Sequence, residues 1–286
     1  ACRPAQAHHP TVSAYHTSGA WVAVAIAGVA SRMMKLSLEQ TRHAMGIAEY
    51  HGPRSQMMRC IDHPTMLKDG SGWGALCGVS AARMAKAGFT GAPALTLQTK
   101  HWHDLGENWL ITKQYFKPYP VCRWAQAPIA AVLDLKQTYD FSSTDVASVH
   151  ITSFYEAVRL GQKKVTNTEE AQYSTSFPCA IALVHGDILP EHIADDALKD
   201  PEIQRLSSVL TISEDDHANL VFPGSRLARA DITLKNGQVL SSTWFEPKWD
   251  ASVPPTKKEL TKKFRDYAIP VLGKTRTKEI YEAVFN

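Results

Sequence analysis

Lys68 and Asp69 stand directly before Gly70, Gly72 and Gly74 in the run "LKDGSGWG" from Leu67 to Gly74, at the head of a helical pattern. That order suits an anion. A helix opening there leaves unpaired backbone N–H groups in its first turn, and glycines admit a carboxylate or phosphate without a Cβ in the way. The Lys68 ammonium would add a full charge to the partial one of the helix end. The alternative is structural: Lys68 is then a surface cation, and the glycines let helices pack closely. A Walker loop is excluded, because the lysine precedes the glycines.

A second group lies in "FKPYPVCRW", where Cys122 is followed by Arg123 and preceded by Lys117. A thiol among cations tends toward thiolate. The same residue also reads as a small buried hydrophobe at a hinge. Further groups able to exchange protons are His16 in "AYHTSG", His51 in "EYHGPR", Tyr119, and Tyr173 in "EEAQYS". No metal or other cofactor is expected. His8-His9 and the His101/His103 pair of "HWHD" lack the spacing of a zinc motif, and the five cysteines are too dispersed for a cluster.

The elements that must position these groups follow from local signals. Gly19 to Lys35 reads as a small-residue helix, and Ser37 with Gln40 forms a capping box for a second helix through Tyr50. Trp73 to Lys86 continues helically and stops at Gly88. Pro118 and Pro120 predict an extended hinge. Beyond it, Ala125 to Tyr139 is a helix interrupted early by Pro128, and Val146 to Phe154 alternates as a strand. Thr168 is expected to cap a helix running to near Gly186, and Asp200-Pro201 to start a short one. Asn236-Gly237 predicts a two-residue type I′ hairpin turn. Thr256 and Glu259 cap a closing helix, with a last helix from Thr277 to Phe285. The expected organisation is a helical domain at 1–116, an α+β domain at 117–252 and closing helices at 253–286.

The chain's 286 residues, 44% of them hydrophobic, suffice for one large or two modest cores. Its 31 basic and 28 acidic side chains are spread along the whole length, for a net charge of +3. No basic tract points to nucleic acid or an anionic membrane, while a small anionic substrate is compatible. The apolar window Ala20–Ala30 is too short to span a bilayer and has no basic segment before it, as a signal peptide would. An odd, scattered set of five cysteines argues for a reducing compartment. The chain opens at Ala1 without an initiator methionine, as a fragment would.

The stretches "YHTSGAWVAVAIAGVASRMMKLSLEQTRHAMGIA", "LKDGSGWGALCGVSAARMAKAGFTGAP", "KPYPVCRWAQAPIAAVLDL" and "EAQYSTSFPCAIAL" resemble, in this order, the MmgE/PrpD family. That family includes 2-methylcitrate dehydratase, cis-aconitate decarboxylase and iminodisuccinate epimerase. The resemblance covers nearly the whole chain. It implies a mainly α fold, an all-helical domain plus an α+β lid with the last helices returning to the helical domain. It also implies a homodimer, an active site between helical domain and lid, and metal-independent chemistry on polycarboxylates. The compartment would be the cytoplasm, or the mitochondrial matrix in a eukaryote.

By the same resemblance, Lys68 is the family's lysine before the glycine-rich helix, His16 its histidine before the small-residue helix, and Lys117 the lysine opening the lid. Cys122 falls where decarboxylase-like members carry a catalytic histidine, a departure that counts against decarboxylation. Members also carry a long helical region ahead of the point where this chain starts, so the chain is expected either to lack the family's N-terminal part or to be a shortened relative. The expected activity is a hydro-lyase reaction on a 2-methylcitrate-like acid. Lys68, Asp69, Gly70, Lys117 and Arg123 would bind substrate, and His16, Lys68, Cys122 and Tyr173 would serve catalysis. The alternatives are an epimerase, a decarboxylase, or a non-catalytic subunit of the same fold.

Overall fold

A computed structural model describes residues 2–8, 12–161 and 164–285. His9, half of the His8-His9 pair, lies outside the described residues. The chain forms two compact units, Ala1–Thr112 and Lys113–Asn286.

The first unit is helical. Helices Gly19–Met33, Leu38–His51 and Ser71–Lys86 pack against one another around a core made largely of alanine, including Ala23, Ala27, Ala44, Ala81 and Ala85. Small side chains set the spacing. A Cβ added to Gly74 would lie 2.7 Å from the Gly19 carbonyl oxygen and 2.8 Å from Gly19 Cα, so the first and third helices touch backbone to backbone. Local signals end these helices where the sequence places them. Ser37 Oγ accepts from the Gln40 N–H while Gln40 Oε1 accepts from the Ser37 N–H, each at 3.1 Å. At the other end of the third helix, Gly88 takes φ +92° and its N–H donates to the Ala85 carbonyl, while the Phe89 N–H donates to Met84. These two bonds are the Schellman pattern that needs a left-handed residue.

The second unit holds a four-stranded mixed sheet. Its strands are β1 (Val146–Ser153), β2 (Leu210–Glu214), β3 (Ala228–Leu234) and β4 (Val239–Ser241), in spatial order β2-β1-β3-β4. β1 runs parallel to β2 and antiparallel to β3, and β3 pairs antiparallel with β4. Helices Gln126–Thr138 and Ser176–His185 cover the buried residues of this sheet, with Val149, Ile151, Ala230 and Ile232 in one core with Ile129, Leu133, Phe177 and Ile181. The mainly α architecture with a small α+β part agrees with the expectation.

Several local expectations are corrected. Pro128 does not interrupt its helix, because it occupies the third position of Gln126–Thr138, where the missing N–H would have no intrahelical partner. The helix expected from Thr168 to near Gly186 is two helices, Thr168–Gln172 and Ser176–His185. Asn167, rather than Thr168, caps the first of these by accepting from the Glu170 N–H at 2.9 Å. The hairpin loop has three residues: the Leu234 N–H donates to the Gln238 carbonyl, and of the turn residues Gly237 alone takes a positive φ, +89°. That is a turn with a glycine bulge rather than type I′. The Thr256/Glu259 capping box is present, and the helical run Lys257–Phe285 bends at Gly273, φ +73°, shortly before Thr277.

Arg205 ties the Pro201–Ser208 helix to the start of β1. Its guanidinium forks onto Glu202 at 2.8 Å and donates to the Val146 and Ser143 carbonyls, each at 2.9 Å. Arg205→Ala is expected to cost about 1–3 kcal/mol of second-unit stability at neutral pH. The hydrogen bond from Arg205 holds the Glu202 carboxyl below its ordinary range. Stability from a depressed carboxylate is present above its unfolded value and lost as pH falls through the folded one. Urea denaturation curves of wild type and variant should therefore converge toward the acid end, and a constant gap would remove Glu202 from the account.

Candidate active site

A cavity of about 840 Å³ opens in the first unit, walled by Thr17, Ser55, Arg59, Cys60, His63 and the run from Leu67 to Trp73. The chain builds its floor by an exchange between distant segments. Ser18 precedes the Gly19–Met33 helix but does not cap it with its own side chain. Asp69 does so from a distant stretch of chain: its Oδ1 accepts from the Ser18 N–H at 2.7 Å and from Thr17 Oγ1 at 2.8 Å. Ser18 Oγ in turn donates to the Asp69 carbonyl at 2.7 Å. A carboxylate at a helix N-terminus is stabilising by about 0.5–2 kcal/mol. With Asp69 fixed, Lys68 is set beside it, exposed at the cavity wall.

The glycines divide by role. Gly70 lies against Thr17 Oγ1, with an added Cβ 2.4 Å away, and Gly74 lies against Gly19, so both serve close packing. Gly72 has nothing within 4 Å of the same hypothetical atom. No side chain caps the first turn of Ser71–Lys86. The Ser71 N–H donates to the Asp69 carbonyl and the Gly74 N–H to the Gly70 carbonyl, while Gly72, between them, lies open on the wall it shares with Lys68.

His16 is buried, and its Nδ1 lies 3.2 Å from the Arg54 carbonyl. A carbonyl only accepts, so Nδ1 carries the proton and Nε2 is the nitrogen able to exchange one. The residues before it, Ala14 and Tyr15, take φ +63° and +57°. Such left-handed backbone costs about 1–2 kcal/mol per residue. The turn is held by the His16/Gln56 bridge, by the Met57 N–H on the Tyr15 carbonyl at 3.0 Å and by the Thr17 N–H on Ser55 at 2.8 Å. Thr17, next to His16, forms part of the cavity wall. His51 ends its helix exposed and edge-on to Tyr50.

The other predicted residues belong to the second unit. Buried Gln126 stitches the "KPYPVCRW" turn together: its Nε2 donates to the carbonyls of Tyr119, Val121 and Cys122, and its Oε1 accepts from the Tyr119 N–H. The sequence reading passed over Gln126, since an amide carries no spacing signal. The Cys122 N–H donates to the Gln172 carbonyl at 2.9 Å, bringing the cysteine's segment beside the one that carries Tyr173. Lys117 Nζ reaches the Val121 carbonyl at 3.2 Å, and the Lys117 carbonyl accepts from Lys263.

Arg123 is buried, donates to Asp250 at 2.6 Å and to the Lys248 carbonyl, and lies 3.9 Å over the Tyr115 ring. Its guanidinium already holds a carboxylate of the chain itself. Burial, and secondarily Asp187, push the Tyr119 phenol up to about 12. It stays protonated near neutrality. Among the described residues, no group of three or more His, Cys, Asp or Glu side chains is placed to hold a metal. None of their helices is long and apolar enough to cross a membrane.

This chain belongs to the MmgE/PrpD family. Residues 1–108 match the MmgE/PrpD N-terminal domain and residues 119–286 the MmgE/PrpD C-terminal domain. Among curated relatives it is similar to "2-methylcitrate dehydratase, mitochondrial" of Yarrowia lipolytica, 27% identical over 246 residues, which cover 77% of this chain and 47% of that protein. It is also similar to "Probable 2-methylcitrate dehydratase" of Saccharomyces cerevisiae, 26% identical over 225 residues, covering 68% and 42% respectively. The chain thus spans less than half the length of the curated relatives it matches.

Proposed function

We propose that this chain forms all or part of a hydro-lyase that removes water from a polycarboxylate of the 2-methylcitrate type. The observation that carries the reading is the first-unit cavity, where Lys68 and the start of the Ser71–Lys86 helix, open at Gly72, lie on one wall. A carboxylate seated there loses negative charge to these donors. The neighbouring C–H becomes more acidic, because the enolate-like charge that develops on proton removal is stabilised by the same groups.

Dehydration then needs a base for that proton and an acid for the departing hydroxyl. The C–H bond breaks, a carbon–carbon double bond forms, the C–O bond breaks, and the hydroxide leaves with a proton as water. His16 Nε2 is proposed for one proton. In the second unit, Cys122 and Tyr173, on adjoining segments, are proposed as proton-handling groups. In the second unit, Lys117 is proposed as a carboxylate-binding residue, and a homodimer is proposed as the working assembly. Lys68 and the helix N–H groups supply the positive charge, so the proposed route calls on no metal.

Proton NMR of the purified chain in D₂O tests this with 2-methylcitrate, citrate, cis-aconitate and an iminodisuccinate. Dehydration is expected to turn the methyl doublet of 2-methylcitrate into an allylic singlet, or to give citrate a single vinylic signal. Deuterium exchange or epimerisation without water loss would replace the hydro-lyase with an epimerase. Silence from demonstrably folded protein would overturn the catalytic reading for this chain.

A further inference from the structure

Besides Lys68 and Asp69, the charged side chains on the cavity wall are Arg59 and His63, neither of which any motif in the sequence marks. Arg59 opens the short helix Arg59–Asp62, and the His63 N–H closes the same turn on the Arg59 carbonyl at 3.1 Å. Two permanent cations and a histidine face one carboxylate, and that carboxylate's Oδ1 is already engaged by Thr17 and Ser18.

Arg3, Arg123 and Arg205 each hold a carboxylate of the chain: Asp104, Asp250 and Glu202. Arg59 Nη1 donates to Ser55 Oγ at 3.2 Å, and among the described residues no carboxylate pairs with it. Ser55 is itself held, because its carbonyl accepts from the Thr17 N–H in the bridge that fixes His16. One arm of a planar five-donor fork is therefore oriented by the scaffold, and among the described residues no ion pair engages the remaining donors of this cavity-lining residue.

We propose that Arg59 is a second carboxylate-binding residue of this cavity, gripping a carboxylate of the substrate other than the one seated at Lys68. The assignment rests on the proposed function. It gives the cavity a physical basis for preferring acids with several carboxylates over monocarboxylates, since each added carboxylate gains its own charge-assisted donor.

Isothermal titration of the full chain with citrate and with acetate tests it, comparing wild type, Arg59→Gln, Arg59→Lys and Lys68→Ala. Arg59→Gln is expected to weaken citrate about tenfold or more, Arg59→Lys to recover part of that loss, and both to leave the weak acetate response unchanged. If an acid is turned over, Arg59→Gln should raise KM and leave kcat. Citrate affinity unchanged in Arg59→Gln but lost in Lys68→Ala would overturn the assignment and leave the proposed function standing. Wild type that binds no polycarboxylate would overturn both. A loss shared equally by Gln and Lys, with a lowered melting temperature, would make Arg59 structural.

Discussion

Lys68→Ala is expected to lower kcat/KM roughly 30- to 700-fold, the equivalent of about 2–4 kcal/mol for losing one partner of a charge-assisted contact. The fold should not follow. The turn at Lys68 is held through backbone and through its neighbour: the Gly70 N–H donates to the Lys68 carbonyl at 2.8 Å, and Asp69 carries the bonds to Thr17 and Ser18. The side chain itself is exposed. Steady-state kinetics on whichever acid is turned over, beside a thermal melt of the same preparation, separates the two roles. Kinetics unchanged from wild type would remove Lys68 from the site, and a fall in melting temperature alone would make it structural. The mirror experiment is Asp69→Ala, which should cost stability first, because it uncaps the Gly19–Met33 helix.

The second large effect concerns packing. Gly74→Val should destabilise the first unit by about 3 kcal/mol or more, shifting its melting temperature on the order of 10 °C. An added Cβ would stand 2.7 Å from the Gly19 carbonyl oxygen, 2.8 Å from Gly19 Cα and 3.1 Å from its carbonyl carbon, all backbone atoms that cannot swing aside. The two helices would have to part, taking with them the Asp69 bridge that closes the cavity floor. Gly72→Ala is the contrast, since nothing lies within 4 Å of that position. It should leave the melt within about 1 kcal/mol of wild type, while placing a methyl group where the anion is proposed to approach. Equal melting temperatures for wild type and Gly74→Val would show that the helices do not meet backbone to backbone.

These two glycines, two positions apart in one run, show what could be read in advance. "LKDGSGWG" is open to an anion cradle and to tight helix packing, and the structure shows the packing. Gly70 and Gly74 are spent on packing, and Gly72 faces open space. No periodicity separates these uses, because each depends on what another segment of the chain places opposite.

Where a signal acts within one turn of chain, the amino-acid sequence determined the outcome. The Ser37/Gln40 and Thr256/Glu259 capping boxes, the Gly88 stop and the Asp200-Pro201 start all close bonds over a few residues, so their donors and acceptors lie within the motif itself. Family membership was legible for a related reason, since it rests on several such stretches in order. Turn type and helix continuity were less so. The hairpin at Gly237 and the break at Tyr173 depend on strand register and on packing around the turn. The commitments of charged groups were settled only by tertiary structure. Asp69 caps a helix that begins 50 residues before it, and Arg123 closes on an aspartate 127 residues away. Arg59 faces the cavity with no carboxylate partner among the described residues. A guanidinium's partner is decided by which carboxylate the folded chain brings within about 3 Å, a distance condition that carries no trace in local spacing.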